Sequence, residues 1–385
     1  MRRFRLGIVG IGGMGSAAAW WASTRLGDDV IGFERFELGH RRGASEDHSR
    51  IIRLSYHRPD AVRLAQAAYR TWSAVETVSA VRLVVRTGGL DLYPAGSSID
   101  AAGYLDAMDT CGVGYEVLDA ADAMRRWPMF DLDPDTTVVH QADGGLVRAV
   151  AANAAHRRLA VGNGTTLLDR TPVRRIEPAR AGFVITAGEE RVPVDRLIIT
   201  ADAWTNEVIA GLGCSINLTV TQEQVAYFPN RSDSGTEWMP VWIWMDDPSF
   251  YGLPSVDGSG VKIGQDVGGA VVTGDDRSFD PDPGYRERLI GFQERLIPGS
   301  TGPIVEERTC LYTMTPDREF VLDHLPGHQG AVIGLGAAHG FKFASVFGRI
   351  LSDLALDGAT EHDITGWSAT RPILNQAGAA TSFLL

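Results

Sequence analysis

Three glycines and one acid near the start of the 385-residue chain have the residue types and spacing of a chemical site. Gly10, Gly12 and Gly15 form the pattern Gly-x-Gly-x-x-Gly, and Glu34 follows further along. In such a pattern the first glycine allows a tight turn and the second lets backbone N–H groups approach a pyrophosphate. The third lets a helix pack closely on a strand, and the acid accepts hydrogen bonds from ribose hydroxyls. The pattern predicts a dinucleotide site.

The elements that position these residues are predicted as strand, helix and strand. Residues 6–9 are a short apolar run, residues 16–26 are rich in alanine and end before Gly27, and residues 30–33 are apolar again. Apolar runs of this length suit buried parallel strands, and the alanine-rich stretch suits a helix that packs on them. The alternative is a glycine-rich turn in some other α/β protein, which would not need this order of elements.

Composition and charge exclude several classes of protein. The net charge is −12 without a long basic run, so we do not expect nucleic-acid binding. Cys111, Cys214 and Cys310 are far apart, which argues against a zinc site, any other metal site and a disulfide framework. No run of ~20 apolar residues occurs, and the basic start of the chain leads into the first strand, so we expect a cytoplasmic protein.

The segment of residues 38–56, after Glu34, is polar and rich in hydrogen-bonding groups. Arg50 and Arg53 are three residues apart, which on a helical turn would place both guanidinium groups on one side. Two such donors near a dinucleotide indicate recognition of an anion or an electron-rich ring. The alternative is a solvated surface turn.

The same segment carries a resemblance. Gly-x-Ser-x-x-x-x-Arg-Ile-Ile-Arg-x-x-Tyr, at residues 43–56, resembles the signature of the monomeric sarcosine oxidase family. This family belongs to the glutathione-reductase-type flavoproteins and includes N-methyltryptophan, pipecolate and fructosyl-amino-acid oxidases. The resemblance extends along essentially the whole chain. It implies an α/β fold in which a Rossmann-like FAD-binding domain is interleaved with an antiparallel-sheet catalytic domain.

A domain division follows from this resemblance and from the patterning. We assign residues 1–85, 143–215 and 305–385 to the FAD-binding domain, and residues 86–142 and 216–304 to the substrate domain. The alternation of apolar and polar residues over much of the second domain is typical of an antiparallel sheet.

Cys310 is the residue on which the cofactor prediction depends. A single cysteine on a strand is by default a small buried hydrophobe. However, Cys-x-Tyr-Thr-x-x-x-Asp at residues 310–317 is similar to the family's flavinylation site. The resemblance implies FAD held by a thioether from Cys310 to the flavin 8α-methyl, with Tyr312 facing the substrate pocket.

Lys262 lies in a short apolar strand, at residues 260–264. From the residues alone, a solvated strand edge is favoured over burial against a specific partner. The resemblance implies the opposite: a lysine over the flavin that promotes reaction with oxygen through electrostatic stabilisation.

Residues 331–342 read as a strand, a glycine-rich turn and the start of a helix, whose N-terminus can stabilise negative charge. The resemblance implies that Lys342 and Arg53 hold the substrate carboxylate, which positions the amino acid. It also places Tyr251 in the substrate pocket and Arg50 on the flavin side. Further flavin contacts that it implies are Gly13, Met14, Arg35, Ser45, Ser49, Val173, Ala201, Trp204, Gly336, Gly340 and Phe341.

The chain departs from the family pattern at three positions near the expected substrate. Glu46 and Asp266 stand where family members with simple substrates carry histidine, and Ala338 replaces a glycine. We therefore predict a substrate other than sarcosine, and the added acids suggest a cationic or polyhydroxylated side group.

The predicted activity is oxidation of a secondary amino acid (N-methyl, N-alkyl or cyclic) to an imine, with O₂ reduced to H₂O₂, by a monomer or weak homo-oligomer. Three alternatives stay open: a flavin dehydrogenase with another acceptor, an oxidase of a sugar or alcohol, and a catalytically silent flavin-binding protein. A nicotinamide dehydrogenase is disfavoured because it has no use for the Cys310 segment.

Overall fold

The computed structural model describes residues 2–230, 239–255 and 257–376. Its strands are β1 (Phe4–Val9), β2 (Val30–Phe33), β3 (Ser49–Ile52), β4 (Val84–Arg86), β5 (Gly89–Tyr93), β6 (Glu116–Asp119), β7 (Thr137–Gln141), β8 (Gly145–Arg148), β9 (Thr166–Leu168), β10 (Val173–Pro178), β11 (Phe183–Ala187), β12 (Glu190–Ile199), β13 (Thr219–Phe228), β14 (Val241–Trp244), β15 (Ser249–Leu253), β16 (Val261–Asp266), β17 (Ala270–Val271), β18 (Glu306–Met314), β19 (Val321–His324) and β20 (Ala331–Leu335). Its α-helices are α1 (Gly13–Leu26), α2 (Pro59–Ser79), α3 (Ala101–Thr110), α4 (Ala120–Arg126), α5 (Ala149–Gly162), α6 (Thr205–Ile209), α7 (Pro283–Leu296) and α8 (Ala344–Asp357).

The first sheet is built around β1. Its strand order is β10-β11-β12-β1-β2-β9, and β20, which carries β19 on its other side, pairs with the C-terminal part of β12. β2, β1, β12 and β20 run parallel, and α1 packs between α5 and α8 against this sheet. The predicted order of strand, helix and strand is confirmed, because the apolar runs are buried on both faces as a parallel sheet requires.

The second sheet has the order β17-β13-β16-β15-β14-β5-β7-β6, and β18 pairs with β13. Its pairs are antiparallel except for β14 with β5. The antiparallel pattern predicted from alternation is therefore confirmed. A core beneath this sheet contains Phe228, Trp242 and Ile263 from the strands and Leu289 from α7. The opposite face of the second sheet lines a cavity.

One local prediction is wrong. Arg50 does not lie on a helical turn, because residues Ser49–Ile52 form β3, which pairs with β8 at the edge of a third sheet of order β3-β8-β4. Two of its four residues are isoleucine, whose branched side chains favour strand over helix. The N-cap of α2 is Arg58, and Pro59 takes the first helical position. Asp60 lies in the first turn, where a carboxylate complements the helix dipole.

The first and second sheets are formed by separate parts of the chain. These ranges can be compared with the predicted domain division, whose boundaries stay a prediction. Strands of the first sheet come from residues 4–33, 166–199 and 321–335, and strands of the second from residues 89–141 and 219–314. β18 thus pairs in the second sheet, although its residues fall in the range assigned to the FAD-binding domain. Among the described helices, none is long and apolar enough to cross a bilayer.

Candidate active site

One cavity of about 620 Å³ lies where the first sheet meets the second. Its first wall is the carboxyl edge of the parallel strands: the residues that follow β1, β2, β12 and β20 all line it. Ligands of open α/β sheets bind in the crevice beyond this edge. The volume falls in the range of cofactor and substrate sites.

The second wall is one face of the second sheet. Side chains two residues apart on a strand share a face, so Cys310 and Tyr312 of β18 both reach the cavity. By the same alternation Lys262 and Asp266 of β16, four residues apart, also line it, and Tyr251 comes from the neighbouring strand β15. Strand register therefore brings together residues that are sixty positions apart in the chain.

Most of the predicted site residues meet in this cavity. Two do not line it: Gly15 lies beneath the glycine loop, and Ser49 contributes a backbone carbonyl to Lys262. The predicted residues that line the cavity are Gly10, Gly12, Gly13, Met14, Glu34, Arg35, Ser45, Glu46, Arg50, Arg53, Val173, Ala201, Trp204, Tyr251, Lys262, Asp266, Cys310, Tyr312, Gly336, Gly340, Phe341 and Lys342.

The glycine loop has the geometry that its pattern predicts. Gly10 adopts a φ of +90°, and a Cβ there would lie 2.4 Å from the carbonyl oxygen of Thr200. A Cβ on Gly15 would lie 1.8 Å from the carbonyl oxygen of Gly10, so only glycine allows α1 to approach β1 this closely. Gly12 is the N-cap of α1, and its backbone faces the cavity without a capping side chain. This is a cradle for a phosphate group.

Glu34 is held as a charged acceptor at the end of β2. The N–H groups of Ile11 and Phe36 donate to its carboxylate at 2.9 and 3.1 Å, and the His40 ring lies 3.2 Å away. Burial raises the pKa of Glu34, but the hydrogen bonds from His40 and Ile11 outweigh it, so the pKa lies below its ordinary value. A buried ionised carboxylate with further lone pairs fits the ribose hydroxyls of a dinucleotide.

Asp47, which the sequence analysis missed, is the centre of the charge network on one wall. Its carboxylate accepts from the Lys262 ammonium at 2.5 Å and from Arg308 Nη1 at 3.2 Å. The Arg50 guanidinium and the Tyr227 hydroxyl also donate to it. Burial alone raises the pKa of Asp47, but the cations hold it far below its ordinary value. The partners lie up to 261 positions away, so no local pattern could have identified this residue.

Lys262 is buried, with 2% of its surface exposed, so the solvated strand edge favoured by the residues alone is wrong. Its ammonium contacts Asp47 and the carbonyl of Ser49, the latter at 3.1 Å. Burial lowers the pKa of Lys262 to about 8, and the nearby Asp47 opposes this shift. A partner on β3 and its preceding loop therefore accounts for a charged residue inside an apolar strand.

Cys310 faces the same part of the cavity as Arg50 and Lys262. Burial raises the pKa of the Cys310 thiol to about 11, while the Arg50 guanidinium acts in the opposite direction. The group is therefore a thiol at neutral pH, beside cations that can stabilise its thiolate. Across the strand, Glu223 of β13 lies opposite Cys310.

Arg53 and Lys342 converge on the ring of Tyr56. The Arg53 guanidinium carbon lies 5.3 Å from the ring centre, and the Lys342 ammonium lies 5.6 Å from it. Arg53 Nη1 donates to Asp91 at 2.8 Å, so its charge is already compensated. Lys342 has no carboxylate within 4 Å among the residues that the structure describes. Burial, together with the charge of Arg53, lowers the pKa of Lys342 to about 7.

The two acids that we expected to select a cationic substrate already have cationic partners. Glu46 accepts from Arg157 at 3.1 Å and from Asn153 at 3.2 Å. Asp266 accepts from two nitrogens of Arg318, at 2.8 and 3.1 Å. Neither carboxylate offers an uncompensated charge, which argues against selection of a cationic substrate group; the polyhydroxylated alternative stays a prediction. Apolar residues also line the cavity, among them Ile99, Ile243 and Met245, and Met245 lies 3.9 Å from Arg53.

Three further lining residues were not predicted or not explained. Ala338 has a φ of +75°, which lies in the left-handed region that favours glycine. His339 Nε2–H donates to the Arg318 carbonyl at 2.9 Å, and burial lowers the pKa of His339 well below the ordinary value. Burial raises the pKa of Asp202 to about 6, and this residue also has positive φ. The glycine-rich turn before Lys342 was a usable signal for His339.

A phosphate cradle, an ionised acid at the second strand and a mixed wall of cations, tyrosines and one thiol define a dinucleotide-dependent oxidoreductase. The residues fit FAD, because the cavity continues from the glycine loop to Cys310. Residues 5–354 match the family model of FAD dependent oxidoreductases, and the chain belongs to that family.

Individual relatives show which members of this family the chain resembles. Monomeric sarcosine oxidase of Streptomyces avermitilis is 33% identical over 93% of this chain and 94% of its own. N-methyl-L-tryptophan oxidase of Salmonella arizonae is 28% identical over 96% and 99%. Among solved structures, NikD, an unusual amino acid oxidase essential for nikkomycin biosynthesis, superposes with a TM-score of 0.85 at 26% identity, covering 96% of this chain and 98% of NikD. The resemblance to the sarcosine and N-methyltryptophan oxidases is confirmed.

Proposed function

We propose that the protein oxidises a secondary amino acid with covalently held FAD and passes the electrons to dioxygen. The observation that carries this proposal is the convergence, in one cavity, of Cys310, buried Lys262, and Lys342 beside Arg53. Sarcosine and N-methyltryptophan, the substrates named for the relatives, are amino acids with a secondary amine. The domain division, the cytoplasmic location and the monomer or weak homo-oligomer remain proposals from the sequence.

Lys342 and Arg53 bind the substrate carboxylate in this proposal. Lys342 supplies the net positive charge, since Asp91 already compensates Arg53. Arg53 adds directed N–H donors that fix the orientation of the carboxylate. With the carboxylate fixed there, the carbon beside nitrogen is held in the centre of the cavity, which contributes through positioning.

FAD, when bound, supplies the two-electron oxidant that accepts hydride from that carbon. The substrate binds as the neutral amine; loss of hydride leaves an iminium ion, which releases its N–H proton to water to give the imine, and water hydrolyses the imine. We assign no side chain as base for the first step. Tyr312 and Tyr251, which lie near each other, contribute polar hydroxyls to the cavity lining.

Lys262 serves the reaction with dioxygen. O₂ takes up two electrons and two protons to become H₂O₂, and a fixed ammonium stabilises the negative charge that develops on oxygen first. Cys310 anchors the cofactor, since its thiol reaches the cavity wall between Arg50 and Lys262.

The substrate side group is apolar rather than cationic in this proposal. Ile99, Ile243 and Met245 line the cavity, and Met245 lies 3.9 Å from Arg53, whereas Glu46 and Asp266 are paired. An N-methyl or cyclic amino acid with an apolar side chain therefore fits better than one with an ammonium group.

The test is a panel of secondary amino acids mixed with the holoprotein under air, with peroxide as the readout. The panel pairs N-methyl derivatives that differ only in side-chain charge, and sarcosine is included as the smallest member. We expect peroxide with apolar members and little with cationic ones. Anaerobic bleaching without peroxide under air would favour a dehydrogenase, and no bleaching by any amine would favour a silent flavin protein.

Covalent attachment is tested separately by precipitating the holoprotein with acid. Yellow colour that remains in the pellet supports the thioether, and colour that is lost to the supernatant contradicts it. Cys310→Ser is the matched control, because serine keeps the size and cannot form the thioether.

A further inference from the structure

Asp47 touches both cations that face the cofactor side of the cavity. It is buried, with 4% of its surface exposed, and one carboxylate oxygen accepts from the ammonium of Lys262 and from the guanidinium of Arg50. The other oxygen accepts from the Tyr227 hydroxyl and from Arg308. A fifth donor is the backbone N–H of the next residue, at 2.8 Å. Five donors therefore fix the position of the Asp47 carboxylate.

We propose that Asp47 is a positioning residue for the reaction with dioxygen: its carboxylate holds the Lys262 ammonium at the cavity wall and keeps it protonated. The inference rests on the proposed oxidase function, in which Lys262 stabilises charge on oxygen. Asp47 lines the cavity beside Lys262 and acts through it.

The charges around Lys262 make this carboxylate necessary. Arg50 faces the ammonium on the cavity side, and Arg308 approaches the same carboxylate from β18. Without Asp47, buried cations would share one wall with no anion in contact with Lys262 among the described residues. Burial and like charges both favour the neutral amine. A neutral amine cannot stabilise negative charge on oxygen.

The remaining groups that face this cluster do not replace Asp47. Tyr227 has its pKa raised well above the ordinary value by burial, so it remains a neutral donor. Cys310, whose pKa is raised by burial, is a thiol at neutral pH. Glu306 is bound to Arg308 and to His48 at 3.0 Å, on the outer side of the cluster. It does not touch Lys262.

The experiment measures the reaction with oxygen without any amine. Holoprotein is reduced with dithionite, mixed with oxygenated buffer, and followed by the return of the visible flavin absorption at several pH values. Asp47→Asn is expected to lower the rate constant at neutral pH by roughly 10²-fold, as for loss of one preorganised electrostatic donor, with recovery as the pH falls. An unchanged rate constant, or a loss equal at every pH, would overturn the proposal.

A second variant has the opposite expected sign. Arg308→Gln removes a cation that competes for Asp47, so Lys262 should stay protonated to higher pH and the alkaline fall of the oxygen rate should move upward. Glu306→Gln is the matched control, a neighbouring carboxylate that does not touch Lys262, and should leave the oxygen rate within about twofold. If Asp47→Asn does not fold, Arg308→Gln still decides, because an unmoved or lowered alkaline fall would contradict the proposal.

A double-mutant comparison separates positioning from general damage. In a Lys262→Met background, Asp47→Asn should change the oxygen rate little, because the group through which it acts is absent. A full additional loss would mean that Asp47 acts by another route. A readout independent of turnover is the pH at which the oxidised flavin spectrum titrates, which Asp47→Asn should shift downward and Arg308→Gln upward.

Failure of the proposed amine oxidation would not be mistaken for failure of this inference. Dithionite replaces the amine as the source of electrons, so the oxygen rate is measured even where no amine bleaches the flavin. Loss of peroxide formation with amines, but a normal pH signature of Asp47→Asn in the dithionite experiment, would reject the substrate and keep the inference.

Discussion

Replacement of Lys342 by methionine is the sharpest test of the substrate site. The change removes the ammonium while it keeps an unbranched apolar stem of similar length. Because Asp91 already compensates Arg53 at 2.8 Å, Lys342 provides most of the net charge for a bound carboxylate. A charge-assisted hydrogen bond of this kind contributes about 3 kcal/mol, which corresponds to roughly a 100-fold loss in kcat/KM for the amine.

The pH dependence of kcat/KM tests the same role of Lys342, because the direction of the change can be predicted. Burial lowers the pKa of Lys342 to about 7, so the ammonium is present below that pH and is lost above it. Because the substrate binds as the neutral amine, kcat/KM for flavin reduction is first divided by the neutral fraction of the amine at each pH. The corrected value should fall as the pH rises above about 7, by roughly tenfold per unit. Lys342→Arg should abolish this fall, since a guanidinium stays charged. Lys342→Met should show a low value without the fall.

The assay is anaerobic mixing of holoprotein with the amine, followed by the loss of visible flavin absorption, which excludes any contribution from oxygen at Lys262. Thermal unfolding is the control. Because burial disfavours the ammonium, Lys342→Met should unfold at the parent temperature or above it, whereas Arg53→Met leaves Asp91 without its cation and should lose about 3 kcal/mol. A Lys342→Met protein with parental kcat/KM, or a Lys342→Arg protein that keeps the alkaline fall, would refute the reasoning.

Three further predictions concern the cofactor and the frame of the site. Covalent attachment of FAD to apoprotein should accelerate as the pH rises toward about 11, because burial raises the pKa of Cys310 to that value and the thiolate is the nucleophile; a rate independent of pH would contradict this. Gly15→Ala should destabilise the protein by about 3 kcal/mol or more, since its Cβ would lie 1.8 Å from the Gly10 carbonyl oxygen; equal thermal stability would count against the geometry. Asp266→Asn should lower the free energy of unfolding by about 3 kcal/mol by removing the carboxylate that Arg318 contacts, and an unchanged unfolding midpoint would show that the pair is dispensable.

Local chemistry explains why the nucleotide half of the site was predictable. The glycine spacing around Gly10 and Gly15 reflects contacts within one strand-turn-helix unit, so the sequence records it directly. The helical turn assigned to Arg50 failed because pairing of β3 with β8, nearly a hundred residues away, decides the conformation there. The three-residue spacing of Arg50 and Arg53 is compatible with a helical turn and also with a strand that ends just before Arg53.

Lys262 shows the limit of reasoning from composition. A lysine among apolar residues has two solutions, a solvated edge or a buried partner, and the chain alone favours the commoner one. The partner Asp47 lies 215 residues earlier in a polar loop that has no periodicity. Only the docking of that loop between β16 and β18 creates the pair. The family resemblance predicted that Lys262 is buried, which the local sequence pattern did not.

The arrangement of charge separates the two halves of the proposed reaction. On the oxygen side, Asp47 compensates Lys262 internally, so the ammonium is available to charge that develops during the reaction. On the substrate side, Lys342 lacks a carboxylate partner in the described part of the chain and its pKa lies near 7, so it is a site that waits for an anion. A ligand carboxylate there raises the affinity of Lys342 for its proton, and by linkage protonation raises the affinity for the ligand. The two buried lysines, Lys262 and Lys342, thus have different roles in the proposed reaction. The distance from each ammonium to a carboxylate decides which role it has.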